Sequence, residues 1–365
     1  MSAFLLYFRT AWNDYFSGTN PTNLDSKTYT SRQGFSYTYT YISNSLFKSI
    51  VSSSDGGALY CSSVTYLLVE STSFFTCMTS SQNGGAIFFS NSGGQSVLHN
   101  VCGYDCLTTY TSSQHYQFAY IYVSNSASSK NYFNYSSISR CVNANSNTHY
   151  ILNFHCGKVC CPSVNISMNK CYYRSIYCYP FSDSNSFTCS FSHSSFTDNI
   201  AVGHTFFFLY RPGAKYEIKS CNILRNTQIA YPSSEGTIAT WGNLEIKDSC
   251  ILENTATYIF CTAYSSYTTT LSNSTVDKTT NNGYLTTQNT VTKSFILALN
   301  HMSTRNCHSE YDSAGTLTPI IQTPSSSKKQ RNYYTCDKFF YHLSQVDFAS
   351  LLIVLIFNFL HYSLF

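Results

Sequence analysis

Three groups of residues set chemistry-bearing side chains near one another along the chain. Asp198, His204 and Arg211 supply an acid, an imidazole and a guanidinium, the groups that polysaccharide-cleaving sites bring to one face. His99, Cys102 and Cys106 form a second group, and His155, Cys156, Cys160 and Cys161 a third. Each of the last two holds a Cys pair with three residues between, inside the range of zinc ligands. Each group also has a plainer reading. Asp198 fits the turn of a repeat and His204 a strand end, while cysteines at recurring turns serve as stacked thiols or loop disulfides. No acid–base pair recurs on neighbouring repeats, so the expectation is a non-enzymatic chain with no catalytic residue, metal or cofactor. Three sequons, at Asn134, Asn165 and Asn273, would permit N-glycosylation if the chain enters the secretory pathway.

The elements that position these groups must be strands. Charged residues make up 10% of the 365-residue chain, against roughly 25% in a typical soluble domain. Ser, Thr, Asn and 32 Tyr stand in their place. Hydrophobic content of 43% excludes a disordered chain, and the abundance of Thr, Tyr, Phe and Ile points to an all-β fold. A net charge of +4, with no Lys/Arg stripe before residue 328, argues against a nucleic-acid partner. Sixteen Cys lean toward an oxidising compartment, although Cys is also a small buried hydrophobe.

The organisation is repetitive. Gly56-Gly57-Ala58-Leu59-Tyr60 returns as Gly84-Gly85-Ala86-Ile87-Phe88, and Glu217-Ile218-Lys219 as Glu245-Ile246-Lys247, both 28 residues on. The same shift carries Leu46-Phe47 to Phe74-Phe75 and Ser49 to Cys77. A weaker theme, an apolar residue followed three positions later by Asn or Cys, runs through Phe74/Cys77, Ile138/Cys141, Met168/Cys171, Phe196/Asn199, Ile223/Asn226 and Ile251/Asn254, with degenerate copies near Cys106, Val276 and Asn306. A segment of this length makes about three short strands and cannot bury its inner face alone, so successive segments must stack. The Gly-Gly pair suits a tight turn, Ala and the aliphatic residue re-enter the core, and Asn or Cys at a fixed turn position stacks on its copies. The expected fold is a solenoid of about nine irregular coils, a parallel β-helix.

The GGA-aliphatic segments, with Phe196-Thr197-Asp198-Asn199 in the companion position, resemble the repeats of the polymorphic outer membrane protein family. Similar repeats occur in surface proteins of parasitic protists. The resemblance implies a right-handed parallel β-helix and a role in adhesion, host interaction or antigenic display, with a host protein or glycan as partner. No C-terminal region looks like a bacterial autotransporter barrel, so that export route is not implied.

The domain reading is an N-terminal cap or irregular segment over 1–40, repeats over 41–310, a Pro- and Ser-containing linker over 311–347 and an apolar segment over 348–365. As a helix, 348–365 would span about 27 Å, close to a hydrocarbon core, and is expected to be helical and to anchor the chain in a membrane at the cell surface. Lys328, Lys329, Arg331 and Lys338 precede it, which under the positive-inside rule favours the opposite side. The apolar run 3–8 is too short for a signal-peptide core. Alternatives are a carbohydrate-active β-helix enzyme, of lyase or glycoside hydrolase class, and a degenerate inactive paralogue.

Overall fold

Every coil of this chain turns on residues with left-handed backbone, and few of them are glycine. In the computed structural model, which describes residues 11–81, 83–110, 116–142, 150–202, 206–229 and 236–292, one corner carries such a residue from Ser26 (φ 53°) through Asn100 and Tyr135 to Asn289 (φ 49°). A second corner carries another, among them Ser49, Thr76, Met168, Asp198 and Glu253. A non-Gly residue there costs about 1–2 kcal/mol, so something must hold the turn. At the first corner, where the next residue is Ser, its hydroxyl can cap the coil before it. The Val101 N–H donates to Ser136 Oγ (2.9 Å), Val164 to Ser194 (3.0 Å) and Cys221 to Ser249 (3.1 Å).

Between the corners the strands are short, parallel and in register. They build three long sheets, of eleven, twelve and ten strands, and a small three-stranded one. Each strand pairs with its counterpart one coil away, so the fold is a β-solenoid of parallel strands. Glu217 pairs with Glu245, Ile218 with Ile246 and Lys219 with Lys247; Leu59 pairs with Ile87 and Tyr60 with Phe88. The 28-residue shifts therefore read the true register in those places. Inward residues form one core running through the coils, from Ile42 and Phe47 to Leu271 and Val276.

Three expectations need correcting. Leu46 and Phe47 pair with Ser73 and Phe74, not Phe74 and Phe75, and Cys77 faces Ile50 rather than Ser49. The shift is 27 there and becomes 28 only after Ser52/Thr79, because the following corner absorbs one extra residue. A one-residue slip would have turned every side chain to the wrong face. Second, Met168 is a left-handed corner residue (φ 56°); the repeat positions are Ile166, paired with Phe196, and Asn169, while Cys171 belongs to the small sheet. Third, 1–40 is not all irregular: Thr22–Asp25, Thr28–Tyr29 and Gln33–Gly34 already stack on the coil that follows. The short helix Ala11–Tyr15 lies against the flank of the first sheet, with Trp12 and Phe16 packed on Tyr41, Leu68 and Val97.

The Asn/Cys theme is a continuous internal ladder. Asn199 Nδ2 donates to Ile166 O (2.8 Å) and to Asn226 Oδ1 (2.9 Å), while Asn199 Oδ1 accepts from the Asn169 backbone N–H (3.1 Å) and Nδ2 (3.0 Å). Asn226 and Asn254 repeat the arrangement. Toward the N-terminus the column changes chemistry. Cys106 Sγ lies 3.4 Å from both Phe74 O and Tyr104 O, the carbonyl of the preceding coil and that of the residue two earlier, which are the two kinds of carbonyl that Asn199 Nδ2 reaches.

The Gly-Gly pair divides its labour. Gly56 and Gly84 have positive φ (65° and 68°), whereas Gly57 and Gly85 provide room: a Cβ on Gly57 would sit 2.1 Å from Gly85 O, and one on Gly85 2.1 Å from Gln117 O. Ala58 and Ala86 are fully buried behind them.

Candidate binding face

Parallel in-register stacking places like positions of successive coils about 4.8 Å apart, which suits stacked rings. The third sheet uses this on its outer side. Tyr60 stacks on Phe88 (5.1 Å, 6°) and Phe88 on Tyr120 (5.3 Å, 13°). Asn153 interrupts that column, and the rings pass around it through Tyr116 and Tyr150 (5.2 Å) to Tyr177 (5.1 Å from Tyr150) and Phe208 (5.9 Å from Tyr177).

A second column lies two residues along each strand from Tyr122 to Trp241, and its rings continue through Tyr264 and Tyr267 of the loop that follows. Centroid distances run 5.0 Å from Tyr122 to His155, 4.9 Å to Tyr179, 5.8 Å to Tyr210, 4.3 Å to Trp241, 5.2 Å to Tyr264 and 6.1 Å to Tyr267. Most of these rings are partly accessible, and Tyr264 is exposed at 48%. The two columns touch through Phe208 and Tyr210 (4.9 Å) and through Tyr177 and Tyr210 (5.7 Å). The result is an aromatic strip along the flank of the solenoid.

Three arginines lie on the strip. The Arg32 guanidinium is 4.6 Å from the Tyr60 centroid and is held by Asp55 O (2.8 Å) and Gly56 O (3.1 Å). Arg174 sits 3.5 Å from the centroid of Phe208, and Arg211 4.5 Å from that of Tyr179, whose hydroxyl it also contacts. Burial, then neighbouring phenols, push the Tyr116 and Tyr177 hydroxyls up, so both stay protonated in neutral solution. Burial, then the Arg211 charge, holds the His155 imidazole below its ordinary value and therefore neutral at pH 7.

The chemical groupings suggested by sequence do not assemble. Asp198 is paired with Arg225 through two contacts (2.7 and 2.8 Å), Arg211 lies on the aromatic strip, and His204 falls outside the described residues. His99 faces outward and bonds Tyr15 Oη (2.9 Å), while Cys106 is in the core. His155 belongs to the strip, Cys161 points inward, and Cys160 contacts Ser190 Oγ on the outside (3.8 Å). Among the described residues no three His, Cys, Asp or Glu side chains converge as metal ligands. Apart from Cys102, Cys250 and Cys261, the described cysteines are free thiols, all buried except Cys160.

Of the sequon residues, Asn134 is buried and its Nδ2, the atom a glycan would take, donates to Tyr15 Oη (3.2 Å). Asn165 is half-exposed on the second sheet, and Asn273 is exposed at a corner (φ 48°). Among the described residues no helix is long and apolar enough to cross a membrane; the 311–347 linker and the 348–365 segment lie outside them.

The aromatic strip did have a trace in the sequence. Tyr120/Tyr122, Tyr177/Tyr179 and Phe208/Tyr210 each space two rings by one residue, the period of a strand's outer face. No protein-family model, curated protein or solved structure matches the chain. The fold and the strip thus define its class by themselves: a parallel β-solenoid with an aromatic flank.

Proposed function

We propose that the chain is a non-enzymatic, surface-displayed right-handed parallel β-helix, of the polymorphic outer membrane protein repeat type, that adheres to extended carbohydrate along its third sheet. The observation that carries this reading is the unbroken path of rings from Tyr122 to Tyr267. Aromatic faces pack against the C–H faces of sugar rings, and tyrosine offers such area with little rotamer entropy to lose. A repeating polymer is the natural occupant of a repeating surface. Anchorage in a membrane through 348–365, an 18-residue run rich in Leu, Ile and Phe, would present that flank at the cell surface.

Trp241 provides the assay. It is one of two tryptophans, and the other, Trp12, is buried where the N-terminal helix packs on the first sheet. Oligosaccharides titrated into the full-length chain should change Trp241 emission, with affinity rising with oligomer length. Tyr210→Ala and Tyr264→Ala should weaken binding while circular dichroism stays unchanged. Absence of binding to any glycan in a broad array would overturn the carbohydrate reading. Surface biotinylation of intact cells, lost on deletion of 348–365, tests display independently.

A further inference from the structure

We infer that the glycan taken by this face is anionic, its carboxylate held where Arg174 and Arg211 flank the middle of the aromatic strip. This rests on the carbohydrate reading above and specifies the ligand class. The two guanidinium groups bracket one compact set of rings. Arg174 precedes the strand Ile176–Tyr179 and Arg211 follows the neighbouring strand Phe207–Leu209, which pairs with it in register. Tyr177, Tyr179, Phe208 and Tyr210 lie between them, with ring separations of 4.9–5.9 Å.

Both cations contact aromatic faces, at 3.5 Å for Arg174 on Phe208 and 4.5 Å for Arg211 on Tyr179. A guanidinium held against a ring keeps its charge and its fork geometry, which a carboxylate matches with two parallel bonds. Arg211 contacts the Tyr179 hydroxyl and, among the described residues, forms no ion pair with a carboxylate. Its charge already acts along the strip, since it helps hold the neighbouring His155 neutral.

The Tyr60 end of the strip differs. Arg32 is committed to the carbonyls of Asp55 and Gly56, and the Asp55 carboxylate lies beside it, bonded by Ser81 and Asn83. An acidic sugar would meet a like charge at Asp55 and an opposite one at Arg211. Charge complementarity therefore favours a polymer bearing carboxylates, seated with one of them between the two cations. Sulfated glycans would also be attracted, because the Arg fork takes tetrahedral oxyanions as well as planar carboxylates, so the sulfated oligomer is the arm that separates the two anions.

The test compares hexuronate oligosaccharides with uncharged hexose and with sulfated hexose oligomers of equal length, by Trp241 fluorescence and calorimetry on the full-length chain. Wild type should bind the hexuronate about tenfold or more tighter than the neutral oligomer, the value expected for one charge-assisted contact. Arg211→Gln should remove most of the hexuronate's preference, read as the ratio of hexuronate to neutral affinity in the same variant. Arg211→Lys, which keeps the charge, should retain only part of the preference. Equal binding of hexuronate and neutral oligomers by wild type would overturn the inference and leave the carbohydrate reading standing. Tighter binding of the sulfated oligomer, or a preference unchanged in Arg174→Gln/Arg211→Gln, would also overturn it. Failure of all three to bind would remove both.

Discussion

Truncating Asn199 to Ala gives the sharpest test of how the coils are held together. Asn199 Oδ1 is the partner of the Asn169 backbone N–H, and its Nδ2 satisfies Ile166 O in the preceding coil. Both Asn199 and Asn169 are sealed from solvent, so the Ala variant leaves the Asn169 N–H buried without a partner, while Ile166 O loses the side-chain donor and keeps its place in the strand ladder beside Thr197. At about 1–3 kcal/mol for the orphaned N–H and about 1 kcal/mol for the lost bond to Ile166 O, the expected loss is roughly 2–4 kcal/mol. Asn199→Cys should cost less. Its thiol can reach the two carbonyls that the Cys106 thiol reaches at the equivalent position, 3.4 Å away in each case, and only the Asn169 N–H is then left over. Urea unfolding followed by far-UV circular dichroism would measure both. A loss below about 0.5 kcal/mol for Asn199→Ala, or equal losses for Ala and Cys, would refute this account of the ladder.

Three other outcomes follow from the same coordinates. Gly85→Ala should abolish soluble folded protein or cost more than about 3 kcal/mol, because its Cβ would lie 2.1 Å from Gln117 O and 2.5 Å from Leu107 O; Gly93→Ala, with no atom closer than 3.6 Å, should fall within about 0.5 kcal/mol of wild type in the same melts. Burial pushes the Cys171 and Cys221 thiols up to about 12, so labelling with a disulfide reagent at pH 8 and peptide mapping should find them unreactive in the native chain and reactive in guanidinium, with half-exposed Cys160 modified first. Burial holds the His99 and His155 imidazoles below their ordinary value, so the unfolded chain takes up their protons first; stability is full above the unfolded pKa near 6.5 and falls as pH drops below it. Thermal melts at pH 7.5 and 5.5 should show this loss, and His155→Gln should reduce it.

The fold was legible wherever a coil length stayed constant. The Gly-Gly-Ala and Glu-Ile-Lys pairs gave register because their sheet positions repeat after 28 residues. Register was misjudged at Leu46/Phe47, where a corner takes an extra residue, and at Met168, where Cys171 imitates the ladder two positions late. The corners themselves were hidden, since Ser, Asn, His, Tyr and Asp all occupy the same left-handed site and only some of the next residues, such as Ser136 and Ser194, carry the capping hydroxyl. The binding face was visible only as spaced rings. That they form one strip depends on which coil each strand joins, and Asn153 and Ala239 break the simplest column.

The N-terminal helix has a consequence for how the solenoid comes apart. A stack of coils ordinarily behaves as a chain of neighbours, each unit bound only to the next, so melting can start anywhere and spread. Trp12 and Phe16 break that rule by touching Tyr41, Leu68 and Val97, which sit on three successive coils, while Tyr15 reaches His99 and Asn134 on the third of these and the coil beyond it. These coils are tied crosswise and must be released together. Unravelling under load or heat should then begin in the later coils and stall at the strapped block, leaving a durable N-terminal end on a stack that yields behind it.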